Sequence, residues 1–332
     1  MKISTLGGVL LAVLAAACSQ SPRKAAPPGA TPIRFATDWR AEAEQGGFYE
    51  ALANGEYAKR GLAVTIVPGG PGVNVPQLVA SGAVEMGIGS NSFIVMNLAA
   101  EGVPVKAVAA FMQKDPQVLI AHPGAGIRSL ADMKGHPIML SDASVTAFWP
   151  WLKAKYGFND DQVRKYTFNN APFLADKRLV QEGYLTSEPY TIQKQGGFAP
   201  AVFLLADEGY PGYANMVLAS DRLIAANPAA VRAFVAASAA GWRDYLHGDP
   251  SPGDKLILKD NPEMSEDVLA QARDKMRAHG IVDGGDASVA GVMTDQRWAA
   301  FFTVASATGV LVVKLYFCRT ISPWSRELEF SE

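Results

Sequence analysis

Phe35-Ala-Thr-Asp38-Trp39-Arg-Ala-Glu-Ala-Glu-Gln45-Gly46-Gly47-Phe48-Tyr49 is the stretch whose reading decides the fold. Ile33 to Thr37 reads as a strand that breaks into a polar loop at Asp38 and Trp39. The loop opens a helix whose apolar positions include Phe48, Leu52 and Tyr57. A strand handed directly to a helix is the opening of an α/β unit. In open α/β sheets, ligands bind beyond the carboxyl ends of the strands, so Asp38 and Trp39 stand where a ligand would be held.

The same alternation runs outward along the chain. Leu62 to Val67 reads as a second strand, followed by the turn Gly69-Gly70-Pro71-Gly72. No Lys-Ser/Thr follows those glycines, so a phosphate-binding P-loop is excluded. Pro76 to Ser81 is a short helix stopped by Gly82, Val84 to Gly89 a third strand, and Val105 to Phe111 a fourth. Between them, Ser90-Asn91-Ser92 caps a helix from Phe93 to Ala100. Ser90 and Asn91 therefore sit where free helix N–H groups attract polar ligand atoms. This pattern implies a mostly parallel sheet with helices on both faces.

Gln117 to His122 begins a second unit, with strands expected at Pro137 to Leu140, Val163 to Phe168 and Val202 to Ala206. Ser144 is placed to cap a helix carrying Phe148, Trp149, Trp151, Leu152 and Tyr156. Asn170, Glu188 and Tyr190 fall on loops returning to the same edge. Asn215 to Ala219 reads as a crossing back, and helices follow at Asn227-Pro228 onward, Ser265 to His279 and Thr294 to Ala305. The expected division is one lobe of residues 33–115 and 217–305, a second of 116–216, and a ligand cleft between them. No internal repeat is visible in the sequence.

With 332 residues, 49% hydrophobic and 19% charged, the chain can bury a large core. A net charge of −2 speaks against nucleic acid as a partner. Residues 1–18 read as an export signal: Lys2, an apolar run from Leu6 to Ala17, and Ala15-Ala16-Ala17-Cys18, which is similar to a lipoprotein lipobox. The alternative is an ordinary A-x-A cleavage site. Cys18 is thus a lipidation candidate rather than a disulfide partner for Cys318, the other cysteine. Residues 19–31, rich in Pro and Ala, read as a tether. Residues 306–332 form an atypical tail in which Cys318, Trp324 and Phe330 follow no clear period.

Several stretches together resemble the NMT1/THI5-like family of solute-binding proteins. They are the Asp38-Trp39 opening with Tyr57-Ala-Lys-Arg-Gly61-Leu62-Ala-Val64, then Gln77-Leu-Val-Ala-Ser-Gly82-Ala-Val-Glu85-Met-Gly87. Ser129-Leu130-Ala-Asp132-Met-Lys134-Gly135 and Asn227-Pro228-Ala-Ala-Val231-Arg-Ala-Phe234-Val complete the set, which covers about residues 33 to 300. The resemblance implies a type II periplasmic-binding-protein fold, two α/β lobes joined by two hinge crossings. It also implies a monomeric receptor in the periplasm or on the outer face of the cell membrane. Its partners would be a small-molecule ligand, the permease of an ABC importer and, through the lipid, the membrane.

Within the family, the Asp-Trp opening is most similar to proteins that bind thiamine-precursor pyrimidines, where an aromatic ring stacks and carboxylates pair with ring nitrogen or amino groups. Receptors for taurine, nitrate or alkanesulfonate are the nearest alternatives. The candidate contacts are Asp38, Trp39, Ser90, Asn91, Ser144, Asn170, Glu188 and Tyr190, with Tyr184 and Phe173 nearby in sequence. Each has a plainer reading as a cap, a core aromatic or a surface ion-pair partner. A different class is set by yeast relatives that make the pyrimidine, consuming a histidine of their own chain and pyridoxal phosphate. The four histidines here, His122, His136, His247 and His279, all lie outside the Asp38 to Gly47 loop, where Gln45 stands. The expectation is a receptor with no catalytic residue, no cofactor and no metal. A surface adhesin, which needs no cleft, is a third reading.

If Cys18 carries a lipid, Cys18→Ala should move the protein from the membrane to the soluble extracytoplasmic fraction. Fractionation of cells expressing each form checks this, and a wild type that is already fully soluble would refute it.

Overall fold

The computed structural model describes residues 28–307. The leader with Cys18, most of the tether and nearly all of the tail lie outside the described residues. Among the described residues ten strands are formed: β1 Thr31–Ala36, β2 Leu62–Val67, β3 Met86–Asn91, β4 Val105–Met112, β5 Gln117–Ala121, β6 Ile138–Leu140, β7 Val163–Lys165, β8 Val180–Tyr184, β9 Ala201–Leu204 and β10 Ala214–Ser220. They make two five-stranded sheets, ordered β2-β1-β3-β10-β4 and β7-β6-β8-β5-β9. Each sheet with its helices is a lobe, and together they form the type II periplasmic-binding-protein arrangement.

The strands that carry the chain between lobes build the sheets' interiors. β10, arriving from lobe two, pairs antiparallel with both β3 and β4, and β5, arriving from lobe one, pairs antiparallel with both β8 and β9. The remaining pairs are parallel. The expectation of mostly parallel sheets is thus qualified by one antiparallel strand inside each. Every residue of β10, Ala-Asn-Met-Val-Leu-Ala-Ser, is buried, as a central strand covered on both faces requires.

The segments flanking these strands form the hinge. Arg297, on the helix Asp295–Ala307, donates to the carbonyls of Gln113 on the first crossing and of Pro211 and Gly212 on the second, and its guanidinium stacks 4.1 Å from the Tyr213 ring. Ser92 holds Tyr213 from the other side, accepting its N–H at 2.8 Å.

The opening helix, Gly46–Ala53, is fixed against the long helix Pro228–His247 by glycines. A Cβ on Gly241 would lie 2.2 Å from the Gly47 carbonyl oxygen, and one on Gly47 would enter the Trp242 ring at 2.2 Å. Phe48 then reaches Phe35, Phe111 and Trp242, with ring centroids 4.7, 5.3 and 5.9 Å away. This packing sets where the Asp38–Gln45 loop must lie.

Some sequence expectations are corrected. β1 begins at Thr31, inside the expected tether, because its backbone already pairs there with Leu62. β7 stops at Lys165, since Phe168 has φ 59°, which no strand accommodates. Ser141, and not Ser144, caps the helix Asp142–Thr146, accepting the Ser144 N–H. The helix Ser251–Asp260 is an addition to the elements expected from sequence. Pro252 sits in the first turn, where no N–H is needed, and Gly253 donates to Glu50 Oε2 at 2.7 Å in a gap with no room for a side chain. Among the described residues, no helix is long and apolar enough to cross a membrane.

Gly241→Ala should force the two glycine-packed helices apart and cost about 1–3 kcal/mol, the usual range for overpacking a core. A fall in the denaturant midpoint at unchanged slope checks it, and an unchanged midpoint would refute this account of the contact.

Candidate ligand-binding site

The site begins at the end of β1. The Thr37 hydroxyl donates to the Trp39 carbonyl at 2.7 Å and accepts the Gly69 N–H at 3.0 Å, and Gly69 N–H also reaches the Trp39 carbonyl at 3.1 Å. Gly69 is required here, because a Cβ would lie 2.1 Å from the Thr37 carbonyl oxygen. The turn presents Asp38 and Trp39, both half-buried. The Ser90 hydroxyl, from the end of β3, lies beside the Asp38 carboxyl, and burial pushes that carboxyl above its ordinary range. The Trp39 side chain lies beside the Glu42 carboxyl.

Lobe two faces this wall. The Phe168 ring lies 4.6 Å from that of Trp39, tilted by 48°, and Tyr166 lies 5.2 Å beyond Phe168. Phe168 is 49% exposed, and its φ of 59° is a genuine outlier for a bulky residue. Such strain clusters at ligand sites, where the surrounding structure holds it. Thr186 donates its hydroxyl across the cleft to Glu44, whose own carbonyl accepts from the Asn215 amide on β10.

The cleft is strongly acidic. Glu44 lies within electrostatic reach of Glu42 and Asp38 on its own lobe and of Glu188 on lobe two, and Glu182 lies within reach of Glu188. Burial, reinforced by the neighbouring Glu188, raises Glu44 and Glu182 to about 7 each. Burial raises Glu188 as well, and burial with the charges of Glu44 and Glu188 carries Glu42 well above the carboxylate range. The Tyr166 hydroxyl is pushed up by burial and by Glu188, Glu182 and Glu42 together. Arg40 acts on Glu42, but it is exposed and paired with Glu263. Glu188 Oε2 accepts from the Tyr184 N–H at 2.7 Å and from the Ser187 hydroxyl. Gly183 permits this approach, since a Cβ there would lie 2.7 Å from the Glu188 Cβ.

Of the residues singled out from sequence, Asp38, Trp39 and Ser90 come together on one wall, and Ser144 and Glu188 stand on the other. Asn91 is occupied as a helix cap, accepting the Ile94 N–H at 3.2 Å. Asn170 is held by Gln181, Gln195, Tyr166 and Thr191. Tyr190 bonds Asp267 at 2.8 Å, where Lys194 also pairs at 2.7 Å, so it joins the lobes at their rim. Phe173 is core, stacked 4.3 Å from His122. Sequence reasoning passed over Glu42, Glu44, Ser141, Tyr166, Phe168 and Glu182. One available signal was Gln181-Glu182, two polar residues inside a buried strand. Gln45 completes a capping box, accepting the Glu42 N–H at 3.1 Å.

Residues 42–251, more than half of the chain, match the family described as NMT1/THI5 like. The chain belongs to that family. The riboflavin-binding protein RibY of Chloroflexus aurantiacus is 28% identical over 286 residues, 79% of this chain and 79% of that protein. The formylaminopyrimidine-binding protein of Halalkalibacterium halodurans is 25% identical over 282 residues, covering 83% of this chain and 81% of that one. Among solved structures, the alkanesulfonate-binding protein SsuA of Xanthomonas axonopodis pv. citri, bound to MOPS, aligns with a TM-score of 0.64 at 13% identity, over 90% of this chain and 99% of that one. At that identity the likeness establishes the fold and nothing finer.

The acidic cleft makes a pH prediction whose sign follows from linkage. Glu44 and Glu182 titrate at about 7 in the folded chain against an ordinary 4.5, so between those values the folded chain holds protons that the unfolded chain has released. Their contribution to stability is therefore full below about pH 4.5 and is lost as pH rises through about 7. The melting temperature of the empty protein should fall across that window, and Glu44→Gln should fall less. Equal slopes for wild type and variant would refute it.

Proposed function

We propose that this protein is the extracytoplasmic substrate-binding receptor of an ABC importer, in the periplasm or lipid-anchored at the outer face of the cell membrane. Its ligand is a small planar heterocycle bearing N–H donors, and a thiamine-precursor pyrimidine fits best. The observation carrying this reading is the aromatic pair of Trp39 and Phe168 at the mouth of a cleft lined by carboxylates. A flat ring stacks on such a face, and its amino groups donate to the carboxylates. Asp38 and Glu188 are the acceptors, and Ser90 and Ser144 lie beside Asp38 and Glu182. The named relatives, binding proteins for a flavin and for an aminopyrimidine, support a flat heterocycle.

The charge of the site disfavours nitrate and alkanesulfonates, because an anion among carboxylates pays repulsion on top of desolvation. Taurine offers an ammonium to these acids but leaves its sulfonate facing them. The fold alone does not separate receptor from enzyme. The loop position that would carry the sacrificial histidine is Gln45, whose side chain is engaged in a helix cap. This favours binding without turnover.

A second flat ring, the isoalloxazine of riboflavin, has the RibY likeness behind it. Calorimetry with an aminopyrimidine, riboflavin, taurine, nitrate and an alkanesulfonate separates the readings. An aminopyrimidine should bind, and Trp39→Ala should weaken it by about 0.5–1.5 kcal/mol beyond the area lost. Binding of riboflavin alone, with quenched flavin fluorescence, would move the assignment to the flavin. Tight binding of a sulfonate that survives Trp39→Ala would overturn the heterocycle altogether.

A further inference from the structure

The helix that follows β8, Glu188–Gly196, belongs to lobe two, and the helix Glu266–His279 belongs to lobe one. Each is fixed to its own lobe. Ile192 is the buried side of the first. Leu269, Ala272 and Met276 are buried on the second, whose Arg273 donates to both carboxylate oxygens of Asp254 at 2.7 Å. Where the helices meet, Tyr190 and Lys194, four residues apart, share one helix face. Asp267 and Gln271, also four apart, share the face opposite. A movement of one lobe against the other must therefore make or break the contacts between these faces.

Those contacts are polar and continuous. Asp267 Oδ2 accepts the Tyr190 hydroxyl at 2.8 Å and the Lys194 ammonium at 2.7 Å. Its Oδ1 accepts the Ser265 hydroxyl at 2.6 Å, from its own lobe. The ammonium also lies 5.5 Å from the centre of the Tyr190 ring. Lys194, Ser265 and Tyr190 hold the Asp267 carboxyl below its ordinary range, so it stays charged at neutral pH. Further along the seam, the Gln271 amide donates to the Thr186 carbonyl, and the Thr186 hydroxyl donates to Glu44. An isolated exposed ion pair adds little to stability, largely because two long side chains must be ordered to form it. Here one carboxylate takes donors from two residues of the opposite lobe, on helices that each lobe already holds in place.

We propose that this seam is a closure latch, in which Asp267, Tyr190 and Lys194 are positioning residues that set how firmly the lobes close and so scale the affinity for whatever the cleft holds. This rests on the receptor reading above and adds a determinant of affinity that lies outside the ligand's own contacts. The reason is population arithmetic. A ligand gripped by both lobes is held by the closed form, so its apparent dissociation constant is the intrinsic one divided by the closed fraction. Loss of the latch lowers that fraction for every ligand alike and leaves the order of preference unchanged. It also shortens the bound lifetime, because the lobes reopen more often. Lys194 and Asp267 are 51% and 47% exposed, and charges in solvent are screened over about 8 Å at physiological salt, so the latch weakens as salt rises.

Small-angle scattering of the intact protein tests the latch with no ligand added. At low salt, Asp267→Asn and Lys194→Gln should each raise the radius of gyration. Together they should raise it no further, because both remove one shared interaction. Added salt should expand the wild type toward the variants and leave the variants unchanged. Lys165→Gln, which removes an exposed ion pair with Asp142 wholly within lobe two, should behave as wild type. With riboflavin and an aminopyrimidine as probes, Asp267→Asn should weaken whichever binds by a common factor of about threefold or more, chiefly through faster dissociation. Equal radii for wild type and Asp267→Asn at low salt would overturn the proposal, as would an equal expansion in Lys165→Gln, or weakening of one bound probe with the other unchanged. Failure of both probes to bind would remove the ligand reading above, and the scattering comparison would still decide the latch.

Discussion

The exchange of crossing strands is the constraint on which the rest of this molecule depends. A strand edge left unpaired inside a sheet exposes a row of backbone N–H and C=O groups, and β10 and β5 each close two such edges at once. Because each arrives from the other lobe, neither sheet is complete without its partner's chain. Both connections must therefore pass through one narrow region, where Arg297 gathers the carbonyls of Gln113, Pro211 and Gly212. That geometry leaves the parallel strands of both sheets with their carboxyl ends facing a common space. The cleft is a consequence of the topology, and the ligand site is whatever the loops place in it.

What lines that space is a set of acids that burial pushes toward the protonated form. Each of Asp38, Glu42, Glu44, Glu182 and Glu188 is pushed upward, and burial is the largest cause for every one. The structure supports them with hydroxyls from Ser90, Ser141, Ser144, Thr186 and Ser187 rather than with cations. Hydroxyls hold a carboxylate in position without neutralising it. The strained Phe168 brings its ring to within 4.6 Å of that of Trp39. Other charges are paired, as in the half-buried Arg34–Glu85 bridge at 2.6 Å.

Both lobes share a single strand plan. Counting each lobe's own strands from first to fourth, the order in both is second, first, third, crossing, fourth. No repeat is legible in the sequence because the plan is carried by backbone pairing, which many side-chain sets satisfy. The ends of the elements show the same division. Asn91, Asn227 and Gly82 were readable as caps because capping is local chemistry between residues three or four apart. Ser144 was misread as a cap, and the helix after Pro250 was missed, because Ser141 and Glu50 decide those two places.

The sequence by itself determined the alternation of strands and helices, the two crossings near residues 117 and 215, and the Asp38-Trp39 opening, all of which follow from local periodicity and turn chemistry. It also carried the family, through short motifs set in order along the chain. Only the tertiary structure decided that β5 and β10 enter their sheets antiparallel, that Glu44 meets Thr186 across the cleft, and that Glu182 lies buried beside Ser141. Those facts depend on pairs separated by 142 residues in one case and 41 in the other. The proximity of such pairs is set by how the sheets close, and no local pattern in a single sequence encodes it.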